Sequence, residues 1–88
     1  MNNARRKEIE KIVKALEDID VESHSEQLES VRDEEQEAFN NMPESLQQGE
    51  RGQASEAAIE ALQEAFDALE QARDSLQEAI DALGRAGE

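Results

Sequence analysis

The sequence lacks cysteine, tryptophan and tyrosine, and its 88 residues include one proline, four glycines and two phenylalanines. Without cysteine, disulfide bonds and thiolate metal sites are excluded. No apolar run approaches the ~20 residues that a membrane-spanning helix requires. The basic N-terminus is not followed by an apolar segment, so we expect no secretory signal. We therefore expect an intracellular location. Such a small chain is expected to gain stability from self-association or from a partner protein.

Positive charge is also scarce. The chain has 23 acidic and nine basic residues, and its formal charge is −14. Nucleic acids and anionic membranes repel such a chain, so direct binding to either is not expected. A basic protein surface would instead attract it. Low hydropathy with high charge also describes a chain that becomes helical only on binding, but the abundance of strong helix formers argues against this alternative.

A seven-residue unit repeats four times between residues 57 and 84, as AAIEALQ, EAFDALE, QARDSLQ and EAIDALG. Leucine occupies the sixth place of every unit and alanine the second. A period of seven residues places the leucines on one continuous ridge of a helix. Exposure of these leucines to water is unfavourable, so we expect another helix to pack against the ridge. The leucines are Leu62, Leu69, Leu76 and Leu83, and the alanines are Ala58, Ala65, Ala72 and Ala79.

The rest of the sequence predicts the helix that covers this ridge. No proline or glycine precedes Pro43, and apolar residues there recur about every 3.6 residues. We expect a first helix over residues 4–41, a connector over 42–52 that contains the proline and two glycines, and a second helix over 53–83. The predicted fold is all-α, a single domain over residues 1–88: an antiparallel, coiled-coil-like hairpin of two helices that dimerises into a four-helix bundle.

One stretch of the predicted first helix leaves two alternatives open. The apolar stripe weakens between Asp20 and Gln27. Ser23 followed by Glu26 matches a capping box that opens a new helix. We favour one continuous helix and keep a kink or break near Ser23 as the alternative.

An association seam is predicted along both helices. With leucine at heptad position d, position a of the second helix includes Arg73 as its one polar member. Counting outward from the connector places Arg73 level with Asp20 and His24, which predicts a polar layer that fixes the register. The predicted association seam consists of Ile59, Leu62, Phe66, Leu69, Arg73, Leu76, Ile80 and Leu83 from the second helix and Leu16, Leu28, Val31 and Phe39 from the first.

No set of residues in the sequence fits a known catalytic arrangement. His24 is the only histidine, and Val21 stands where the helical Glu-x-x-His metal motif requires glutamate. Neighbouring helix residues diverge by about 100°, so Ser23 and Ser25 cannot form a catalytic triad around His24. Residues 49–52 are too short and too acidic for a phosphate-binding loop. We therefore expect no enzyme activity, no metal site and no cofactor.

A calcium site is the weakest functional hypothesis. Asp18, Asp20, Glu22 and Glu29 match places 1, 3, 5 and 12 of a helix–loop–helix calcium loop. Place 6, which requires glycine for a sharp turn, is Ser23. An acidic chain produces such partial matches readily by chance.

An acidic stretch is the strongest candidate for a binding surface other than the seam. Residues 17–37 contain ten acids and one base. Carboxylates at i and i+4 of a helix lie about 6 Å apart, comparable to the phosphates along one DNA strand, so such a helix can imitate a nucleic-acid backbone. The alternative is a solvated face that only keeps the protein soluble. The predicted acidic contact face consists of Glu22, Glu26, Glu29, Asp33, Glu34 and Glu37.

The block RDEEQEAFNNMPESLQ at residues 32–47, followed by ERG at 50–52, resembles a group of small acidic helical proteins. Phages, prophages and Gram-positive gut bacteria encode this group, whose members share a basic start of the first helix, the central block and Ala/Leu/acid heptads. The resemblance covers most of the chain and implies a bacterial, mobile-element-related cytoplasmic protein. It implies no activity and no functional residues. The chain departs from it at Gly49, where a serine-type helix cap is expected.

Together these observations predict a non-enzymatic protein–protein interaction or assembly module. The expected partner is a second copy of the chain. In the alternative hypothesis the chain is an acidic mimic that inhibits a DNA- or RNA-binding protein by occupying its basic cleft. No nucleic acid, membrane or small-molecule substrate is expected to bind directly.

Overall fold

The computed structural model describes residues 2–88, and within them α-helix is the sole regular secondary structure. The predicted all-α class is therefore confirmed for the described residues. The chain forms a rod whose principal extents are 68 × 14 × 13 Å. The helices are α1 (Asn3–Glu17), α2 (Val21–Asn40), α3 (Glu44–Gln47) and α4 (Glu50–Ala86).

The longest helix, α4, has 37 residues and spans most of the rod, about 55 Å at 1.5 Å per residue. It packs chiefly against α2 and more weakly against α1 and α3. Residues near the start of α4 meet the end of α2, and residues near its end meet α1, so α4 runs opposite to both helices. The pairs that establish this direction are Ser55 with Glu35, Gln63 with Arg32, Arg73 with Glu22, and Glu88 with Arg6.

The predicted helix over residues 4–41 is wrong as one element, because residues 18–20 divide it into α1 and α2. Asp20 caps α2: its carboxylate oxygen accepts from the backbone N–H of Ser23 at 2.9 Å. Aspartate stabilises helix starts because it satisfies such a free backbone donor, and it disfavours helix interiors for the same reason. The break thus needs no glycine or proline. The capping residue is Asp20, three residues before the predicted Ser23.

This break changes which side of the chain meets α4. Ile9, Val13 and Leu16 are the half-buried residues of α1. A single helix that kept Leu16 on α4 would, at alternating spacings of four and three, bring Asp20, Ser23, Gln27 and Ser30 to the contact. After the break the half-buried or buried positions are Val21, Ser25, Leu28, Arg32, Glu35 and Phe39. Val31 is 48% exposed.

The connector consists of residues 41–49 and contains α3. Pro43 precedes α3, and its carbonyl oxygen accepts from the N–H groups of Leu46 and Gln47 at 2.9 and 3.1 Å. Gln47 then donates its side-chain amide to the carbonyl oxygen of Phe39 at 2.9 Å, which fastens the connector to the end of α2. Leu46 of α3 is 40% exposed.

The bounds of α4 also differ from the prediction of 53–83. The helix starts at Glu50, with Gly49 as its N-cap residue, and continues through Gly84 to Ala86. Gly87 is the C-cap residue, and its N–H donates to the carbonyl oxygen of Leu83 at 3.0 Å. Glycine lowers helix propensity by only about 1 kcal/mol, which a long packed helix tolerates.

Candidate association surfaces

Buried or half-buried residues recur at alternating spacings of three and four from Gly52 of α4 to its C-cap residue Gly87, and the neighbouring Ala58, Gln63 and Glu70 are half-buried as well. All members of the predicted association seam except Val31 are half-buried. In the described residues 2–88 no apolar side chain is fully buried. The other helices therefore shelter the leucine ridge of α4 partly, and association of the seam with a second molecule remains a prediction.

Arg73 stands at the centre of an ion-pair cluster where α4 passes the start of α2. It pairs with Glu22 of α2, with Glu70 at 2.8 Å and with Asp74 at 3.6 Å. Its cross-helix partner lies between the predicted Asp20 and His24 in sequence. The hydrogen bond that Arg73 donates to Glu22 and the negative charges of Glu22 and Glu70 raise the pKa of the Arg73 guanidinium above its ordinary value. Arginine is charged throughout the physiological pH range in any case, and because folding raises its pKa, the stability that this ion pair contributes is lost only at strongly alkaline pH.

Arg32 is a second cross-helix contact, and sequence reasoning did not find it. Its guanidinium lies over the ring of Phe66, 5.7 Å from the centroid, and donates to the side chains of Gln63 and Asp33. A guanidinium at this distance from an aromatic face is attracted by the ring. The spacing was a usable signal, because Arg32 follows Leu28 by four residues and precedes Phe39 by seven.

Small residues mark the closest approach of the helices. A Cβ built on Gly52 would lie 1.8 Å from the carbonyl oxygen of Gln47, so the backbone of α3 occupies the space of a side chain there. Ser55 is 4% exposed and donates to Glu35 at 2.7 Å. Ser25 on α2 is 1% exposed, and its hydroxyl has no hydrogen-bond partner among residues 2–88. No sequence signal distinguished these positions from the other small residues of the chain.

The two sides of the rod differ in chemistry. Because α4 runs opposite to α1 and α2 and all are right-handed, the residue before each contact residue lies on the same side of the rod in every helix. On this side α4 carries an alanine stripe, and Ile12 and Val31 are each 48% exposed. We call this side the open face; its apolar members are Ile12, Val31, Ala38, Ala58, Ala65, Ala72 and Ala79. By the same rule, the polar residues His24, Gln27 and Glu34 of α2 also lie on it.

The opposite side of the rod is polar. There the residues after each contact residue include Gln63, Glu70 and Gln77 on α4 and Glu22 and Glu29 on α2. The cross-helix bonds of Arg32 and Arg73 reach Gln63 and Glu22 on this side. The rod is thus amphipathic across its width.

The predicted acidic contact face lies along α2. Glu26, Glu29, Asp33, Glu34 and Glu37 line one shallow open depression with Ser30, whereas Glu22 lies one turn earlier. All six side chains are exposed. Glu22 pairs with Arg73 and Asp33 with Arg32, while the other four make no ion pair with the described part of the chain.

Among residues 2–88, the residues considered for catalysis and for calcium binding do not form a common site. His24 is exposed on α2. Two carboxylates of the partial calcium match make other contacts, since Asp20 caps α2 and Glu22 pairs with Arg73. Over residues 2–88, no group of three or more His, Asp or Glu side chains is placed to hold a metal ion.

Compared with protein-family models, curated proteins and solved structures, the chain matched none of them. None of the helices between residues 2 and 88 has both the length and the apolar character that crossing a membrane requires. The surfaces of the rod are therefore the basis for a functional proposal.

Proposed function

We propose that this protein is a non-enzymatic association module, an antiparallel helical hairpin that dimerises into a four-helix bundle. Within each hairpin the association seam would join α4 to α1 and α2, and the cluster around Arg73 would fix the register between these helices. The hairpin would then present the alanine flank of the leucine ridge to a second copy. The resemblance noted above adds the proposal of a bacterial, mobile-element-related, cytoplasmic protein.

One observation carries this proposal: the chain leaves its apolar residues half-covered. Its accessible surface is 6527 Å². A folded monomer of 9.8 kDa exposes about 5,200 Å², so this rod exposes roughly 1,300 Å² more. A standard protein interface removes about 800 Å² from each partner. Covering one side of the rod would therefore bring the exposed surface close to that of an ordinary folded protein.

Thermal unfolding at two concentrations tests this proposal. If association and folding are coupled, mass action stabilises the bundle at higher concentration. We expect the melting temperature from circular dichroism to rise by roughly 5–10 °C between about 1 μM and about 100 μM. A melting temperature that is independent of concentration over this range would contradict self-association.

The acidic contact face supports a second candidate function, mimicry of a nucleic-acid backbone. The supporting observation is that Glu26, Glu29, Glu34 and Glu37 are exposed on one helix and make no ion pair within the described chain. In this function the carboxylates would occupy the basic cleft of a DNA- or RNA-binding protein.

Competition with DNA tests the mimic hypothesis. The immobilised protein is exposed to a bacterial lysate, and captured proteins are eluted with duplex DNA or with a salt gradient. A mimic is expected to release nucleic-acid-binding proteins with DNA and at modest salt. Replacing Glu26, Glu29, Glu34 and Glu37 with glutamine should abolish capture. A control with Glu56, Glu60, Glu64 and Glu78 of α4 replaced by glutamine has the same net charge and should retain it; equal capture by both variants would contradict the hypothesis.

A further inference from the structure

We infer that the second copy docks on the open face and that the two rods lie side by side in opposite directions. This inference rests on the proposed self-association and adds the surface and the orientation. The opposite side of the rod is lined by carboxylates and amides, whereas the open face carries the alanine stripe together with exposed Ile12 and Val31. Alanine side chains allow two helices to approach closely.

The dimensions of the open face suit a second copy. A side 68 Å long and 14 Å wide offers roughly 900 Å², close to the ~800 Å² per partner of a standard interface. A single short peptide would cover only part of this length. A second rod of the same length covers all of it, and the same residues then contribute from both copies.

The distribution of charge along the rod favours opposite directions. At one end, α1 carries five bases and three acids, and residues 70–88 beside it carry two bases and five acids, so this end has a formal charge of only −1. The half that contains the connector includes residues 21–56, which carry ten acids and two bases. Parallel rods would bring the two acidic halves together. Antiparallel rods place the basic α1 of each copy beside the acidic half of the other, and the twofold symmetry forms this contact twice.

The bases of α1 are available for such a contact. Lys11 lies 4.0 Å from Glu8, and Arg6 donates to the carbonyl oxygen of Glu88 at 3.4 Å. Within residues 2–88 the bases of α1 form no other ion pair with an N–O distance of 4.0 Å or less. The acidic half of a second copy can therefore form ion pairs with Arg5, Lys7 and Lys14.

Spin-label distances test the orientation, and the cysteine-free sequence makes each introduced cysteine unique. Asn3→Cys labels the end of the rod that lies away from the connector, and Ser45→Cys labels the connector. In antiparallel dimers each variant alone should give a label distance near the 68 Å rod length, and an equimolar mixture should add a much shorter distance. A short distance in either variant alone would overturn the antiparallel arrangement while leaving the dimer intact. Absence of any intermolecular distance at about 100 μM would overturn the self-association itself.

A matched pair of substitutions tests the surface. Val31→Asp adds a carboxylate to the open face, and Ser30→Asp adds the same charge to the neighbouring residue, which points away from both α4 and the open face. Burying an unpaired carboxylate is costly, so Val31→Asp should raise the dimer dissociation constant by about a hundredfold. Ser30→Asp should change it less than about threefold. Equal effects of the two substitutions would overturn the assignment of the open face.

Discussion

At the scale of single residues, the structure depends on a few small side chains at the contacts between helices. Gly52 lies where the backbone of α3 crosses the first turns of α4, with the Gln47 carbonyl oxygen in the space of a Cβ. Gly84 lies in the same helix and has no neighbouring atom within 4 Å of a Cβ. The same substitution at these two glycines should therefore have opposite effects.

Gly52→Ala should lower the free energy of unfolding by about 2–3 kcal/mol, because backbone atoms of α3 must move to admit the methyl group. Gly84→Ala should raise it by about 0.5–1 kcal/mol, because alanine favours helix more than glycine does. Chemical denaturation measures both changes. Stabilisation by Gly52→Ala would show that α3 does not lie against α4 as described.

Ser25 provides a second prediction at this scale. Its hydroxyl is buried without a partner, which costs free energy in the folded state. Ser25→Ala should stabilise the protein by about 1–2 kcal/mol. The exposed Ser30 of the same helix is the control, since Ser30→Ala gains only helix propensity, a few tenths of a kcal/mol. A loss of stability in Ser25→Ala would mean that the hydroxyl makes a hydrogen bond in solution.

At the scale of elements, α4 was predictable, whereas the division between α1 and α2 was foreseen only as the less favoured alternative, with the break placed near Ser23. The heptads of α4 predict a long helix because leucine or another large residue recurs every three or four residues without interruption. The break at residues 18–20 arises from Asp20, which binds the backbone N–H of Ser23. An aspartate within an acidic helix and an aspartate that caps a new helix look alike in sequence, because their difference lies in the packing that follows.

Removing the cap tests this account of the break. Asp20→Ala leaves the Ser23 N–H without its acceptor and should destabilise the protein by about 1 kcal/mol. Asp18→Ala removes an equal charge two residues away, where the side chain makes no hydrogen bond within the described chain, and should change stability by less than about 0.5 kcal/mol. Amide exchange of residues 21–24 should increase in Asp20→Ala alone. Unchanged exchange there would contradict a capping role for Asp20.

At the scale of the whole molecule, the rod is a consequence of composition. Alanine and charged residues dominate, so two helices can shelter the ridge between them but cannot enclose it. The sequence predicts the all-helical class and the ridge from periodicity alone. The side of the rod that stays apolar depends on the directions of the helices and on the break after α1, which periodicity does not specify. The cross-helix contact of Arg32 with Phe66 likewise requires the register of α2 against α4.

The central claim is that the other helices of the same chain cover one side of the leucine ridge of α4, and that a second copy of the chain covers the open face. Sedimentation equilibrium between about 1 and 100 μM measures this most directly. The account predicts a molar mass that approaches twice the 9.8 kDa of the chain as concentration rises. A mass of one chain throughout this range would contradict it.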